Sequence, residues 1–240
     1  HEAQRRASTQ IAEYVAAGLE GGMVATAVNL APLPPEAFDI VGPYIHACKM
    51  LGSVASQLLG HTPKNLKLEL AGAIADADPA PLLAAVLDGG LSYRRLGAFS
   101  AANAESVASR HGISVTTASV LDAQEYASSV RVVADEVEVA ATLFGTEHTP
   151  RIISLLDYKI DMAPGTTSLV FEYVDAPGRI GTIGTILGEA GANITTMQIG
   201  TKPAESCALV YMNVEGDVGE AVLDRLRDAI DLRNLWKIVL

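Results

Sequence analysis

The last third of the chain constrains the fold most. Thr167–Val174 is apolar and β-branched enough to predict a strand, Asp175–Gly178 a turn, and Arg179–Ala190 a helix. Asn193–Gly200 and Ser206–Val214 predict two further strands joined by a loop over Thr201–Glu205. Gly219–Ile230 then reads as a helix and Leu235–Leu240 as a final strand. The order β-α-β-β-α-β puts both helices on one face of an antiparallel sheet, a ferredoxin-like unit.

Upstream the signals are more dispersed. Residues 2–19 predict a helix, with Ile11, Val15 and Leu19 recurring every four residues and Gly21-Gly22 stopping the run. No capping residue precedes this helix, so the sequence is expected to continue upstream of His1. Met23–Leu30 predicts a short strand, and Pro32, Pro34 and Pro35 a linker. Gly42–Leu59 predicts a helix with Pro43 in its first turn and Leu51, Val54, Ala55 and Leu58 on one face. Leu66, Leu68 and Leu70 alternate with Lys67 and Glu69, the period of a half-buried strand. Asp78-Pro79 starts a helix over residues 79–88 that Gly89-Gly90 should stop, and Asn103–His111 predicts another. Ile113–Thr117, Ser129–Val133 and Glu136–Phe144 are β-rich, the last two joined through Ala134-Asp135. Pro164-Gly165 breaks the pattern within Asp161–Thr166. The expected division is a residual helix at 1–20, an α/β domain at 21–163 and the βαββαβ domain at 164–240, an α/β (α+β) chain overall.

Composition narrows the partners. Hydrophobic residues are 49% of the chain and aromatics only 5%, so the core must be built from Ala, Val, Leu and Ile. A net charge of −11 argues against nucleic acid and against an anionic membrane surface, both of which need clustered Lys and Arg. No apolar run approaches the roughly 20 residues that span a bilayer. The polar opening His1-Glu2-Ala3-Gln4-Arg5-Arg6 is not a signal peptide. Cys48 and Cys207 are isolated and read as small reduced thiols in a cytoplasmic protein.

The chemically informative stretch is Tyr173-Val174-Asp175-Ala176-Pro177-Gly178-Arg179-Ile180-Gly181-Thr182-Ile183-Gly184. A strand ends in Asp-x-Pro-Gly and a helix starts at once. The first amides of that helix, at its positive dipole end, are suited to a carboxylate. Asp175 beside them could accept an ammonium group, so the pair suits the two charges of a free amino acid. Equally, Asp175 could serve only as a cap. Gly178, Gly181, Gly184 and Gly188 share a helix face and read as permitting close helix packing. Asn193, opening the next strand, offers both a donor and an acceptor. A dinucleotide fingerprint, G-x-G-x-x-G after a strand, is absent. Glu147-His148, with no further His or Cys at ligand spacing, is a weak metal signal, so no metal is expected, and His46, His61 and His111 lie in helix or loop segments without the acidic partner of an acid/base histidine.

Asp175-Ala176-Pro177-Gly178-Arg179-Ile180-Gly181, with Gly191-Ala192-Asn193-Ile194, resembles the ACT domain at the C-terminus of D-3-phosphoglycerate dehydrogenases, most closely the long, actinobacterial type. The helix Glu2–Ala12 resembles the helix following that family's catalytic-histidine loop. Gly21-Gly22-Met23-Val24 with Ala27-Val28-Asn29, Leu51-Gly52 with Leu58-Leu59, and Gly145-Thr146 with Arg151-Ile152 resemble its intervening, allosteric substrate-binding domain.

The resemblance implies that L-serine binds between ACT domains of two subunits. The matching positions are Tyr173, Asp175, Pro177, Gly178, Arg179, Ile180 and Gly181 on one side and Asn193 on the other. Ala176 departs from the common Asp-Arg-Pro-Gly form and removes a surface cation. The resemblance also implies an anion site in the intervening domain, for which Arg151 matches and Lys159 is a neighbour. It implies dimers through the ACT domains, tetramers in the parent enzyme, and NAD bound there but no cofactor in this chain. No catalytic residue is expected here. Two alternatives share the domain pairing or the ACT unit. They are the accessory portion of an iron–sulfur L-serine dehydratase, and a free-standing ACT amino-acid sensor.

Overall fold

The computed structural model describes residues 35–94, 103–123, 125–202 and 206–240, with positions 6, 8, 9, 11, 12, 15 and 16 of the opening segment. Those seven positions are helical, as expected, and Ile11 and Val15 among them are exposed. The strand expected at Met23–Leu30 and the residues around Pro32 and Pro34 lie outside the described residues.

The first domain is a helical layer on a mixed sheet. Helix α1 (Pro35–Leu59) begins seven residues before the expected Gly42 and runs through Pro43. Strand β1 (Asn65–Gly72) follows, then α2 (Ala80–Tyr93), α3 (Ala104–Arg110) and β2 (Ser114–Val120). Strands β3 (Ser128–Ala134), β4 (Val137–Phe144), β5 (Thr149–Leu155) and β6 (Tyr158–Met162) complete a meander. The sheet order is β2-β1-β3-β4-β5-β6. Only β1 and β2 pair in parallel, because only they are joined by a helical crossover.

Two expectations need correction here. Gly89-Gly90 does not stop α2, which continues to Tyr93. Instead these glycines let α2 cross α1 almost backbone to backbone. A Cβ on Gly89 would stand 1.8 Å from the Lys49 carbonyl oxygen, and one on Gly52 would stand 2.0 Å from that of Val86. Around the crossing Leu51, Val54, Leu82, Val86 and Leu87 are essentially inaccessible to solvent. Each such side chain contributes about 1.5–3 kcal/mol by leaving water. The hairpin β5–β6 had no counterpart in the expected elements. Its turn, Leu156-Asp157, has φ of 51° and 63° at two non-glycine residues, so the usual turn letters are missing.

The second domain follows the expected order. Strand β7 (Thr167–Val174), α4 (Arg179–Glu189), β8 (Asn193–Lys202), β9 (Cys207–Glu215), α5 (Glu220–Ala229) and β10 (Leu232–Val239) form a sheet ordered β10-β7-β9-β8. Alternation along its central strands divides its residues between two cores. Leu169, Phe171, Tyr173, Val210 and Met212 face the helices and pack with Ile183, Leu187, Leu223 and Leu226. Val170, Cys207, Leu209, Tyr211 and Ile238 face the other way and merge with the core of the first domain.

The seam between the domains is also hydrogen bonded. The Gln57 amide exchanges two bonds of 2.9 Å with the backbone of Val239, and Trp236 Nε1 donates to the Leu58 carbonyl at 3.0 Å. Tyr158 donates to Glu172 at 2.9 Å and Lys202 Nζ to the Leu156 carbonyl at 3.1 Å. The connecting segment is pinned by Asn213. Its Oδ1 accepts from the Gly165 amide at 3.0 Å and from the Ser168 hydroxyl at 2.8 Å, and its Nδ2 donates to the Ala163 carbonyl at 2.9 Å. Among the described residues no helix is long and apolar enough to cross a membrane.

Candidate functional site

Strand β7 delivers the Asp-x-Pro-Gly turn at a fixed height above the sheet. Its end is held on both flanks, with the Val174 amide donating to the Asp231 carbonyl at 3.2 Å and the Asp175 amide to that of Ser206 at 3.0 Å. Tyr173, just below, is buried among the helix-facing core residues. Burial, and secondarily the Asp175 carboxylate, push its phenol above the ordinary tyrosine range. Tyr173 therefore acts as a floor for the turn.

The chain reverses through a turn closed by the Arg179 amide on the Ala176 carbonyl at 3.4 Å. Gly178 takes φ of 89°, the left-handed conformation that glycine adopts at no steric cost, and is the residue before the helix. The first helical bond runs from the Thr182 amide to the Gly178 carbonyl at 3.0 Å. No hydrogen bond reaches the amides of Gly178, Ile180 or Gly181 among the described residues, so the start of α4 presents unpaired donors.

Asp175 is exposed, and its carboxylate bonds to no described residue. The helix start has no side-chain cap, so the capping alternative for Asp175 does not hold. Among the described residues Arg179 forms no ion pair, and its Nε is buried without a partner. Pro177 is exposed beside it, and Ile180 packs partly into the core below. The shared glycine face is corrected as well. A Cβ on Gly181, Gly184 or Gly188 would meet nothing within 4 Å, so these glycines do not serve helix packing among the described residues. Gly178, Gly181, Thr182 and Thr185 line an open groove between α4 and α5, across from Arg225 and Asp228.

Asn193 is not brought to this turn within one chain. β7 and β8 both pair antiparallel with β9, so they run the same way and Asn193 starts at the far end. The residue level with Val174 on β8 is Lys202, through Cys207. At about 3.3 Å per residue, Asn193 stands roughly 30 Å away along the strand. Asn193 is exposed on the outermost strand of the sheet.

The two cations of the expected anion site lie on the strands β5 and β6, at the face opposite the helices. Arg151 pairs with Asp161, donates to the Asp161 carbonyl at 3.0 Å and lies over Phe144 with 5.4 Å to the ring centroid. Lys159 approaches Glu125 at 3.5 Å. In the same cleft Arg131 bridges Glu138 at 2.5 Å and Glu69 at 3.6 Å. Each of these cations already has a carboxylate partner, which an incoming anion would have to displace.

The first domain's sheet has a single parallel pair, and β1 leaves it at Gly72-Ala73-Ile74 without a glycine-rich loop opening a helix. Cys48 and Cys207 are both buried, and burial pushes the Cys48 thiol well above the ordinary range. Two buried thiols do not supply the ligands of an iron–sulfur cluster. One grouping invisible in sequence sets ligand atoms of His61, Asp135 and Glu136 within 4.8 Å of one another. The residues are more than seventy positions apart, and the β1–β3 pairing, with the Lys64 and Asn65 amides on Asp135, brings them together.

Fold and turn together define a class, a two-domain protein whose second domain is an ACT-type unit seated on an α/β partner. The intervening-domain model of D-3-phosphoglycerate dehydrogenase matches residues 40–156, and the ACT domain model matches residues 167–231. The D-3-phosphoglycerate dehydrogenase of Mycobacterium leprae is 30% identical over 98% of this chain and 45% of its own length. Those of Methanocaldococcus jannaschii and Bacillus subtilis are 25% and 27% identical, over 98% and 96% of this chain and 45% of each relative. The chain belongs to the D-3-phosphoglycerate dehydrogenase family, as its intervening domain followed by its ACT domain. It spans about 45% of the length of these curated relatives.

Proposed function

We propose that the chain is the serine-sensing part of a D-3-phosphoglycerate dehydrogenase, dividing at 163/164 into the intervening and ACT domains. In the intact enzyme the remaining portion would bind NAD and oxidise 3-phosphoglycerate, in the cytoplasm and as a dimer or tetramer. The observation that carries the reading is the chemistry at the start of α4. Unpaired amides and the unpaired Arg179 suit a carboxylate, while the free Asp175 suits an ammonium group, within one turn of chain. A free amino acid carries both charges.

The position of Asn193 supports a site completed by a second subunit. Strand β8 is an outer strand, with Met197 and Ile199 exposed. If two copies pair β8 with β8 about a two-fold axis, the strands run antiparallel. The partner's first residue then comes level with this chain's Lys202, at the end of the sheet where the Asp175 turn sits. Serine held between the two would favour one arrangement of subunits over another, which is what feedback inhibition requires. Anion binding at Arg151 and Lys159 would need their carboxylate partners to move aside.

Thermal unfolding of the 240-residue chain with L-serine tests the reading. Serine at about 100 times its dissociation constant should stabilise the fold by about 2.7 kcal/mol. Asp175→Ala or Asn193→Ala should remove the shift. An unshifted melting curve at millimolar serine would overturn the assignment of serine as ligand. The rival reading as part of an iron–sulfur L-serine dehydratase has no cysteine support, and no observation favours a free-standing sensor.

A further inference from the structure

We propose that His61, Asp135 and Glu136 form a surface site for a divalent transition-metal ion of the Zn²⁺ type, clamping the α1–β1 loop to the β3–β4 turn. One ligand atom from each residue lies within 4.8 Å of the others, the spacing three ligands adopt around a single ion. No ion need pull the backbone together, because the fold has already done so. Asn65 donates its backbone amide to Asp135 Oδ1 at 2.9 Å and Lys64 donates its own to Oδ2 at 2.9 Å. The Asn65 side chain adds a third bond at 3.3 Å.

These bonds hold the carboxylate in place and, led by the Lys64 amide, keep it ionised below the ordinary aspartate range. Oδ1 accepts two of these bonds and Oδ2 only one, so Oδ2 retains a lone pair for a metal. On the other side the His61 ring is oriented by its Nδ1 against the Thr62 carbonyl at 3.1 Å. That arrangement, a ring nitrogen on a backbone carbonyl, leaves Nε2 as the lone-pair donor. Glu136 is exposed next to Asp135, and its carboxylate already lies within that spacing.

The donor set selects the ion. One imidazole and two carboxylates suit Zn²⁺, Co²⁺ or Mn²⁺, with water filling the remaining positions. Ca²⁺ wants six to eight oxygens and Mg²⁺ keeps most of its water, so neither gains much from this trio. The chain's net charge of −11 raises the local concentration of any cation. The site lies in the first domain and is independent of the amino-acid site on α4.

Isothermal titration of the 240-residue chain with ZnSO₄, repeated with CoCl₂ while following the visible absorption of Co²⁺, tests this. One ion per chain should bind and raise the melting temperature, and MgCl₂ at the same concentration should not. His61→Gln and Glu136→Gln, both exposed positions, should each weaken binding at least about tenfold with unchanged far-ultraviolet circular dichroism. Asp135 is left intact because its carboxylate also holds the loop. Absence of Zn²⁺ binding up to about 1 mM would overturn the site. So would unchanged affinity in both variants, which would place the ion on other exposed histidines such as His111 or His148.

Discussion

Gly89 and Gly188 show how the same residue type can carry opposite meanings within helices. At Gly89 the neighbouring carbonyl of Lys49 occupies the space a methyl group would need. Gly89→Ala should therefore destabilise the chain by about 1–3 kcal/mol through overpacking, despite alanine's better helix propensity. At Gly188 nothing lies within 4 Å, so Gly188→Ala should stabilise by up to about 1 kcal/mol. Urea unfolding of the two variants checks both signs, and a destabilised Gly188→Ala would mean that the face is covered in solution. Both glycines stand in Gly-x-x-small contexts, and the one local difference, the Gly89-Gly90 pair, points to a helix stop and not to a close crossing. What separates them is which helix lies opposite, a property of the whole fold. The Asp175 turn was legible for the converse reason. Its strand end, left-handed glycine and helix start are consecutive, so local letters carry the geometry. That Asp175 does not cap the helix, and that Arg179 is unpaired, depends on side chains sequence spacing leaves undetermined.

At the scale of elements, the second domain was readable because each strand and helix is bounded by turn residues and alternates cleanly. The first domain was readable only where the period was plain, as in β1 and the β3–β4 hairpin. A glycine pair normally ends a helix, but at Gly89-Gly90 tertiary contact overrides that preference and α2 runs on to Tyr93. Hairpin β5–β6 leaves no turn signal in the sequence because Leu156-Asp157 adopts left-handed backbone without glycine or asparagine. The outer strand β8 carries a prediction of its own. Met197 lies near the middle of Asn193–Lys202, where a two-fold β8–β8 pairing brings each residue close to its own copy. Met197→Lys should set two like charges together and shift the chain towards monomer, while a monomer's melting temperature changes little. Size-exclusion chromatography with light scattering, at on the order of tens of micromolar chain, measures this. An unaltered dimer in that variant would exclude the β8 edge as the contact.

For the molecule as a whole, the division of labour between the domains is undercut by their shared core. Val170, Leu209, Tyr211 and Ile238 of the ACT sheet are buried together with residues of α1 and the first sheet. Neither domain can leave without exposing them, so scanning calorimetry should show one cooperative transition. Two resolved transitions would mean that the seam opens below the unfolding temperature. The same continuity means that a ligand moving the ACT sheet also loads α1, through Gln57 and Leu58. Trp236 is the chain's only tryptophan, and its indole is anchored on that boundary at the Leu58 carbonyl. The chain therefore carries its own optical gauge: tryptophan emission comes from one place, the join between the two domains, and its colour records whether water has entered there.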